Sequence, residues 1–126
     1  MIPLVVGVGG ALGAVARWYA TDWVRNLAGA EFPWATMAVN VLGSLALGFL
    51  MAWLQTRAPS AHVRELIGVG FLGSFTTFST YSYETVALVR AGEVWRAGGY
   101  ALSSLALGIV AVTAGAFVAT AVLTRG

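Results

Sequence analysis

The chain has 126 residues, of which 59% are hydrophobic and only 10% charged, against about a quarter charged in an average soluble domain. A soluble domain of this size needs far more polar surface, so lipid is the expected solvent. The formal net charge is +2, carried by seven Arg with no Lys; there is no basic patch, which argues against a nucleic-acid partner. The absence of Cys excludes disulfides, thiolate metal sites and a Cys nucleophile.

Four stretches reach the length of about 20 mostly apolar residues that a spanning helix needs. The first runs from about Ile2 to Tyr19. No positive segment precedes its apolar run, so it reads as a retained helix and not as a cleaved signal peptide. The second runs from about Pro33 to Leu54, with Pro33 suited to a first helical turn and Pro59 to the turn beyond. The third runs from about Leu66 to Val89 and the fourth from about Ala97 to Leu123. The connections are short, which predicts one compact four-helix domain over residues 1–126 with antiparallel neighbours.

With four spans, both termini and the second loop share one side. That side carries Arg57, Arg64 and Arg125, and the other carries Arg17, Arg25, Arg90 and Arg96. Three against four is almost no bias under the positive-inside rule. The simplest reading is a chain that inserts both ways round and pairs as an antiparallel, dual-topology dimer; the alternative is a fixed orientation set by other features. Small residues recur at four-residue spacing: Gly9 and Gly13, Ser44 and Gly48, Gly70 and Ser74, then Ala111, Gly115 and Ala119. In lipid such residues let helix backbones approach closely, so most of these glycines are expected to pack helices.

The third span is the anomaly. From Ser74 to Ser82, six of nine residues are Ser or Thr. One or two hydroxyls could bond back to carbonyls a turn earlier or tie helices together. Six at membrane depth are expensive without internal partners or water. The favoured reading is a broken helix lining a polar path, since irregular backbone is tolerated where it lines a cavity. Phe71, Phe75 and Phe78 fall on one helical stripe, which by itself signals core packing. An aromatic ring also has a positive edge that can face an anion and a negative face that can hold a cation.

Asn40 sits in the middle of the second span. Its amide offers two donors, either for an interhelical bond or for the same polar path. Arg17 closes the first span as an interfacial anchor or as an attractor of anions to a vestibule. Glu84 ends the polar stretch, either paired with an Arg or sitting at the interface. The deep parts of the spans hold no Asp, Glu, Lys, Arg or His, and His62, the only histidine, lies in a loop. Proton-coupled transport usually places a titratable group near the midplane. No triad, metal cluster or phosphate loop is present, so the sequence does not read as an enzyme. Neutral donors with aromatic edges fit passive movement of a small anion, because a deep fixed charge would trap it.

These residues carry a resemblance. Gly9 to Trp18, Thr36 to Gly43 and the unusual stretch Gly70 to Thr80 are similar to motifs of the Fluc family of bacterial fluoride channels, also called CrcB proteins. Size, span count and charge balance agree over nearly the whole chain. The resemblance implies an antiparallel homodimer in the inner (plasma) membrane, with two pores that pass fluoride, reject chloride and export fluoride passively. It implies a structural sodium ion held by the carbonyls of Gly73 and Thr76 from each subunit. The family's two pore phenylalanines fall on Phe78 and Tyr81 and its pore asparagine on Asn40. Its fourth-helix polar track falls on Tyr100 and Ser104. A pore must replace the tightly held water of fluoride with donors such as Asn40, Ser104 and the third-span hydroxyls. Four carbonyl oxygens, two per subunit, would suit a hard cation.

The chain departs from the family at Tyr81, usually Phe, and at Gly108 and Val112, often hydroxylic, so its polar track is thinner. Two rival functions remain: a small four-helix multidrug exporter, which needs a deep carboxylate absent from this first span, and a non-transporting membrane subunit.

Overall fold

The computed structural model describes residues 1–125, and every regular element among them is helical. The order is α1 (Ile2–Ala28), α2 (Trp34–Arg57), the single turn α3 (Ala61–Arg64), a π-helical stretch (Glu65–Leu72), the short α4 (Gly73–Phe75), α5 (Phe78–Arg90) and α6 (Val94–Leu123). Three of these, α1, α2 and α6, are long and apolar enough to cross a membrane on their own. The third apolar segment is assembled from pieces: α3, the π stretch and α4 form one half, and α5 forms the other. This is a multi-pass membrane protein with its third helix broken.

The first helix runs further than the apolar count predicts. It continues past Tyr19 to Ala28, so Asp22 and Arg25 lie on the helix, as Arg17 does, and not in a loop. Charged residues do not stop a helix at a membrane surface, where water is available to their side chains. The stop is Gly29, whose φ of 81° suits a residue without Cβ.

Close backbone packing explains the small residues. A Cβ at Gly48 would strike the Val112 carbonyl, and one at Gly115 would strike the Leu45 carbonyl, so α2 and α6 are in reciprocal backbone contact. Likewise Gly9 and Gly13 of α1 lie against the carbonyls of Leu66 and Phe71 in the π stretch. These contacts supply the dispersion packing that holds helices together where lipid cancels the hydrophobic drive.

The interior of the chain is small. Its main buried cluster is Met37, Leu88, Ala97 and Tyr100, with Phe32, Val41 and Tyr81 packed against it. Large apolar side chains stand outside on every long helix, among them Leu12, Leu42, Val110 and Phe117. Lipid, or another subunit, is the medium that covers them. Trp18, Trp23, Trp34 and Trp95 gather towards one end of the bundle, at the last turns of α1 and the first turns of α2 and α6. Trp is favoured at membrane interfaces, so this end marks a headgroup boundary.

Candidate functional site

The site is the break itself. The helix runs to Phe75 and then turns extended: Thr76 has φ −82° and ψ 157°, and Thr77 has φ −149° and ψ 117°. The chain re-enters a helix at Phe78 because Thr77 is a good N-cap, its hydroxyl accepting from the Thr80 amide at 3.3 Å.

Two distant side chains hold the two broken peptides. Asn40 Nδ2 donates to the Thr77 carbonyl at 3.0 Å, and the Thr77 amide donates to Asn40 Oδ1 at 2.7 Å. Arg17 donates from its guanidinium to the Thr76 carbonyl at 3.3 Å. The hydroxyls of the stretch divide their work. Thr76, Ser82 and Thr85 bond back to the carbonyls of Leu72, Phe78 and Tyr81. Thr77 caps the second half. The local reading thus accounts for several of the hydroxyls, while Thr76, Thr77 and Thr80 also line pockets.

The break also dissolves the expected phenylalanine stripe. Phe71 and Phe75 stack with centroids 6.0 Å apart. Phe78, beyond the extended residues, leaves that stripe and packs against Tyr81 at 5.7 Å instead.

An open groove of about 620 Å³ runs beside α5 and α6. It brings together Asn40, Phe78, Tyr81 and Ser104, four of the residues singled out from sequence, and adds Ser44 and Thr113. Gly108 and Val112 also line it. Phe78 is 78% exposed there. The Ser104 hydroxyl is buried and has no hydrogen-bond partner among the described residues. Tyr81 does not offer its hydroxyl to the groove, because it donates to the Ala101 carbonyl at 2.8 Å. Tyr100 sits behind the groove and not on it. It is fully buried, with its ring 5.3 Å from Tyr81.

A second groove of about 280 Å³ shares Asn40, Ser44 and Phe78 with the first and is also lined by Gly73, Thr76 and Thr77. A third pocket, of about 260 Å³, is framed by Arg17, Thr21, Arg25, Thr36, Thr77 and Thr80. Arg17, Thr21 and Arg25 recur every four residues and share one face of α1. This periodicity was readable from sequence once α1 was known to continue.

Glu84 takes no Arg. Its carboxylate accepts from the Thr36 hydroxyl and from the Tyr100 hydroxyl, each at 2.8 Å. Thr36 is 1% exposed, so a polar tie joins α2, α5 and α6 behind the groove. Thr36 had no local signal, since its partner lies 48 residues away.

Residues 4–116 match the family described as CrcB-like protein, Camphor Resistance (CrcB). The chain belongs to the CrcB family. Among its relatives is a protein of Hahella chejuensis named fluoride-specific ion channel FluC, 46% identical over 87% of this chain and 87% of that one. Proteins of the same name from Thermus thermophilus and Geobacter sulfurreducens are each 47% identical. They are matched over 85% and 89% of this chain, and 84% and 91% of their own lengths. The resemblance seen at Gly9–Trp18, Thr36–Gly43 and Gly70–Thr80 therefore extends over nearly the whole chain. CrcB proteins of this kind are channels and not enzymes.

The residues expected to hold a sodium ion can be tested on chemistry. Gly73 and Thr76 line one groove. Among the described residues no donor reaches the Gly73 carbonyl. The Thr76 carbonyl holds one long bond from Arg17 and has a second lone pair. Two hard oxygens fit a hard cation in kind but not in number, since such ions take several oxygens. A sodium ion here would therefore need further oxygen ligands beyond these two.

Proposed function

We propose that this chain is a passive, fluoride-selective channel subunit that exports fluoride through an antiparallel, dual-topology homodimer with two pores in the inner membrane. The observation that carries this reading is the convergence of Asn40, Ser44, Phe78 and Ser104 on one groove, with an unpartnered hydroxyl at Ser104. The groove offers neutral donors and ring edges, and none of its lining residues is Asp, Glu, Lys, Arg or His. An anion that sheds water needs such donors, while a fixed positive charge would hold it too long. Asn40 spends one N–H on Thr77, which leaves its second for the groove.

Each residue then has a task. The pocket of Arg17, Arg25 and the threonines serves as a vestibule that raises the local anion concentration. Asn40 and Ser104 replace water around the ion. Phe78 and the ring of Tyr81 present apolar walls and positive edges that exclude competing hydration. Tyr100 backs the groove and stiffens Tyr81. The groove is open along one side, and Phe78 stands exposed there. Closing it into a conduit calls for a second subunit, and the near-equal Arg count on the two sides favours an inverted one.

Gly73 and Thr76 from both subunits would hold a structural sodium ion. The ion would supply positive charge to offset unpaired carbonyls at the subunit interface.

The experiment is fluoride efflux from liposomes carrying the purified protein, with a chloride control and sodium present. Fast fluoride loss with chloride retained is the expected result. Proton-coupled cation exchange would point to a multidrug exporter, and no flux from a folded dimer to a non-transporting subunit. Either overturns the reading.

A further inference from the structure

We propose that Asn40 is a positioning residue for the cation site: by taking the Thr77 amide, it frees the Gly73 carbonyl to act as a ligand. This rests on the sodium reading above and concerns how the chain prepares that site.

In a continuous α-helix the amide of residue i+4 donates to the carbonyl of residue i. Leu72 still obeys this rule, accepting from the Thr76 amide at 3.1 Å. Gly73 is next in line, and its donor would be the amide of Thr77. That amide instead donates to Asn40 Oδ1 at 2.7 Å. The ladder stops at Gly73, and no other donor among the described residues replaces the lost one.

Any helix end leaves orphan carbonyls, but these usually meet water or a capping amide. Within a span an orphan is costly, and so is a free amide. The two costs would cancel if Thr77 simply paired with Gly73 and the helix continued. Asn40 prevents this because it satisfies the amide at 2.7 Å and returns a bond to the Thr77 carbonyl at 3.0 Å. The amide is satisfied by α2, and the Gly73 carbonyl is left for a cation; Gly73, unlike Ser74 and Phe75, lines the groove that Asn40 also lines. A side chain with only a donor could not do this; the acceptor atom is the one that matters.

The test is thermal unfolding of the purified protein in detergent as sodium is varied, with N-methylglucamine chloride keeping ionic strength constant. A ligand that binds the folded state alone raises its stability with concentration. The wild-type chain should therefore be stabilised by sodium with a measurable half-effect concentration. Asn40→Asp keeps an acceptor for the Thr77 amide in either protonation state. It should respond at the wild-type sodium concentration or below it. Asn40→Leu has no acceptor and should need about tenfold more sodium or lose the response. Asn40→Ser is too short to reach and gives the same readout if the Leu variant does not assemble. A folded Leu or Ser variant responding at the wild-type concentration would overturn the proposal, as would an Asp variant shifted upward like Leu. A wild-type chain indifferent to sodium would remove the cation and this role with it. Fluoride efflux, measured separately, would tell whether the channel reading still stands.

Discussion

Asn40 and Thr77 form a reciprocal pair across 37 positions of sequence, amide to carbonyl at 3.0 Å and amide to side-chain oxygen at 2.7 Å. The pair fixes one peptide of the broken helix to the middle of α2. It places the polar gap between two halves of a helix, beside the groove that also holds Ser104 and Phe78. Local sequence makes the break possible, and a tertiary contact fixes its geometry.

Asn40→Asp should abolish fluoride efflux at neutral pH. Two like charges about 4 Å apart at an effective dielectric of 20 repel by about 4 kcal/mol. That converts to a rate loss on the order of 1,000-fold. Electrode-recorded efflux from liposomes checks it, and undiminished flux from a folded dimer would remove Asn40 from the pore.

Ser104→Ala should separate function from stability. The hydroxyl is buried without a partner, and removing such a group relieves a cost of about 1–3 kcal/mol. The variant should unfold no earlier than wild type in a thermal melt, yet pass fluoride more slowly. Earlier unfolding with unchanged flux would make Ser104 a structural residue.

Tyr81→Phe should do the reverse. The hydroxyl is spent on the Ala101 carbonyl, and an ordinary hydrogen bond contributes about 0.5–1.5 kcal/mol. Stability should fall by that order while fluoride flux stays within about threefold of wild type. A far larger fall in flux would mean the hydroxyl meets the ion.

Thr36→Val and Tyr100→Phe each remove one donor to the Glu84 carboxylate. Hydrogen bonds to a charged group contribute about 1.5–3 kcal/mol. Each variant should lose stability on that scale. The double variant should differ from the sum of the two, because both bonds share one acceptor. A double-mutant cycle by denaturant or heat measures it, and strict additivity would show that the two hydroxyls act independently.

Gly48→Ala should destabilise the bundle although Ala is the better helix former by about 1 kcal/mol. Its Cβ meets the Val112 carbonyl, and overpacking costs about 1–3 kcal/mol. Gly98→Ala meets nothing within 4 Å and should be neutral or stabilising. Melting curves of the two variants side by side decide the point.

The spans, their small-residue contacts and the broken third helix were legible because each rests on local pattern: apolar run length, four-residue spacing, hydroxyl density. The end of α1 was misjudged at Tyr19, since charges mark a membrane boundary and not a helix end, which only Gly29 sets. The partners of Asn40, Arg17 and Glu84 were not legible. They lie 37, 59 and 48 residues away in sequence, and no periodicity encodes that. Tyr81 and Tyr100 look alike on paper, yet one borders the groove and the other lies behind it, because Glu84 draws the second hydroxyl inward. The π-helical stretch from Glu65 to Leu72 also carries no residue signature of its own.

The central claim is a passive path selective for fluoride. The measurement is the reversal potential across a planar bilayer holding the wild-type protein, with a tenfold fluoride gradient and equal chloride on both sides. The account predicts reversal at the fluoride equilibrium potential, about 59 mV in magnitude for a monovalent ion, with no shift when chloride is then made unequal. Reversal that follows the chloride gradient, or a current that requires a proton gradient, would contradict it.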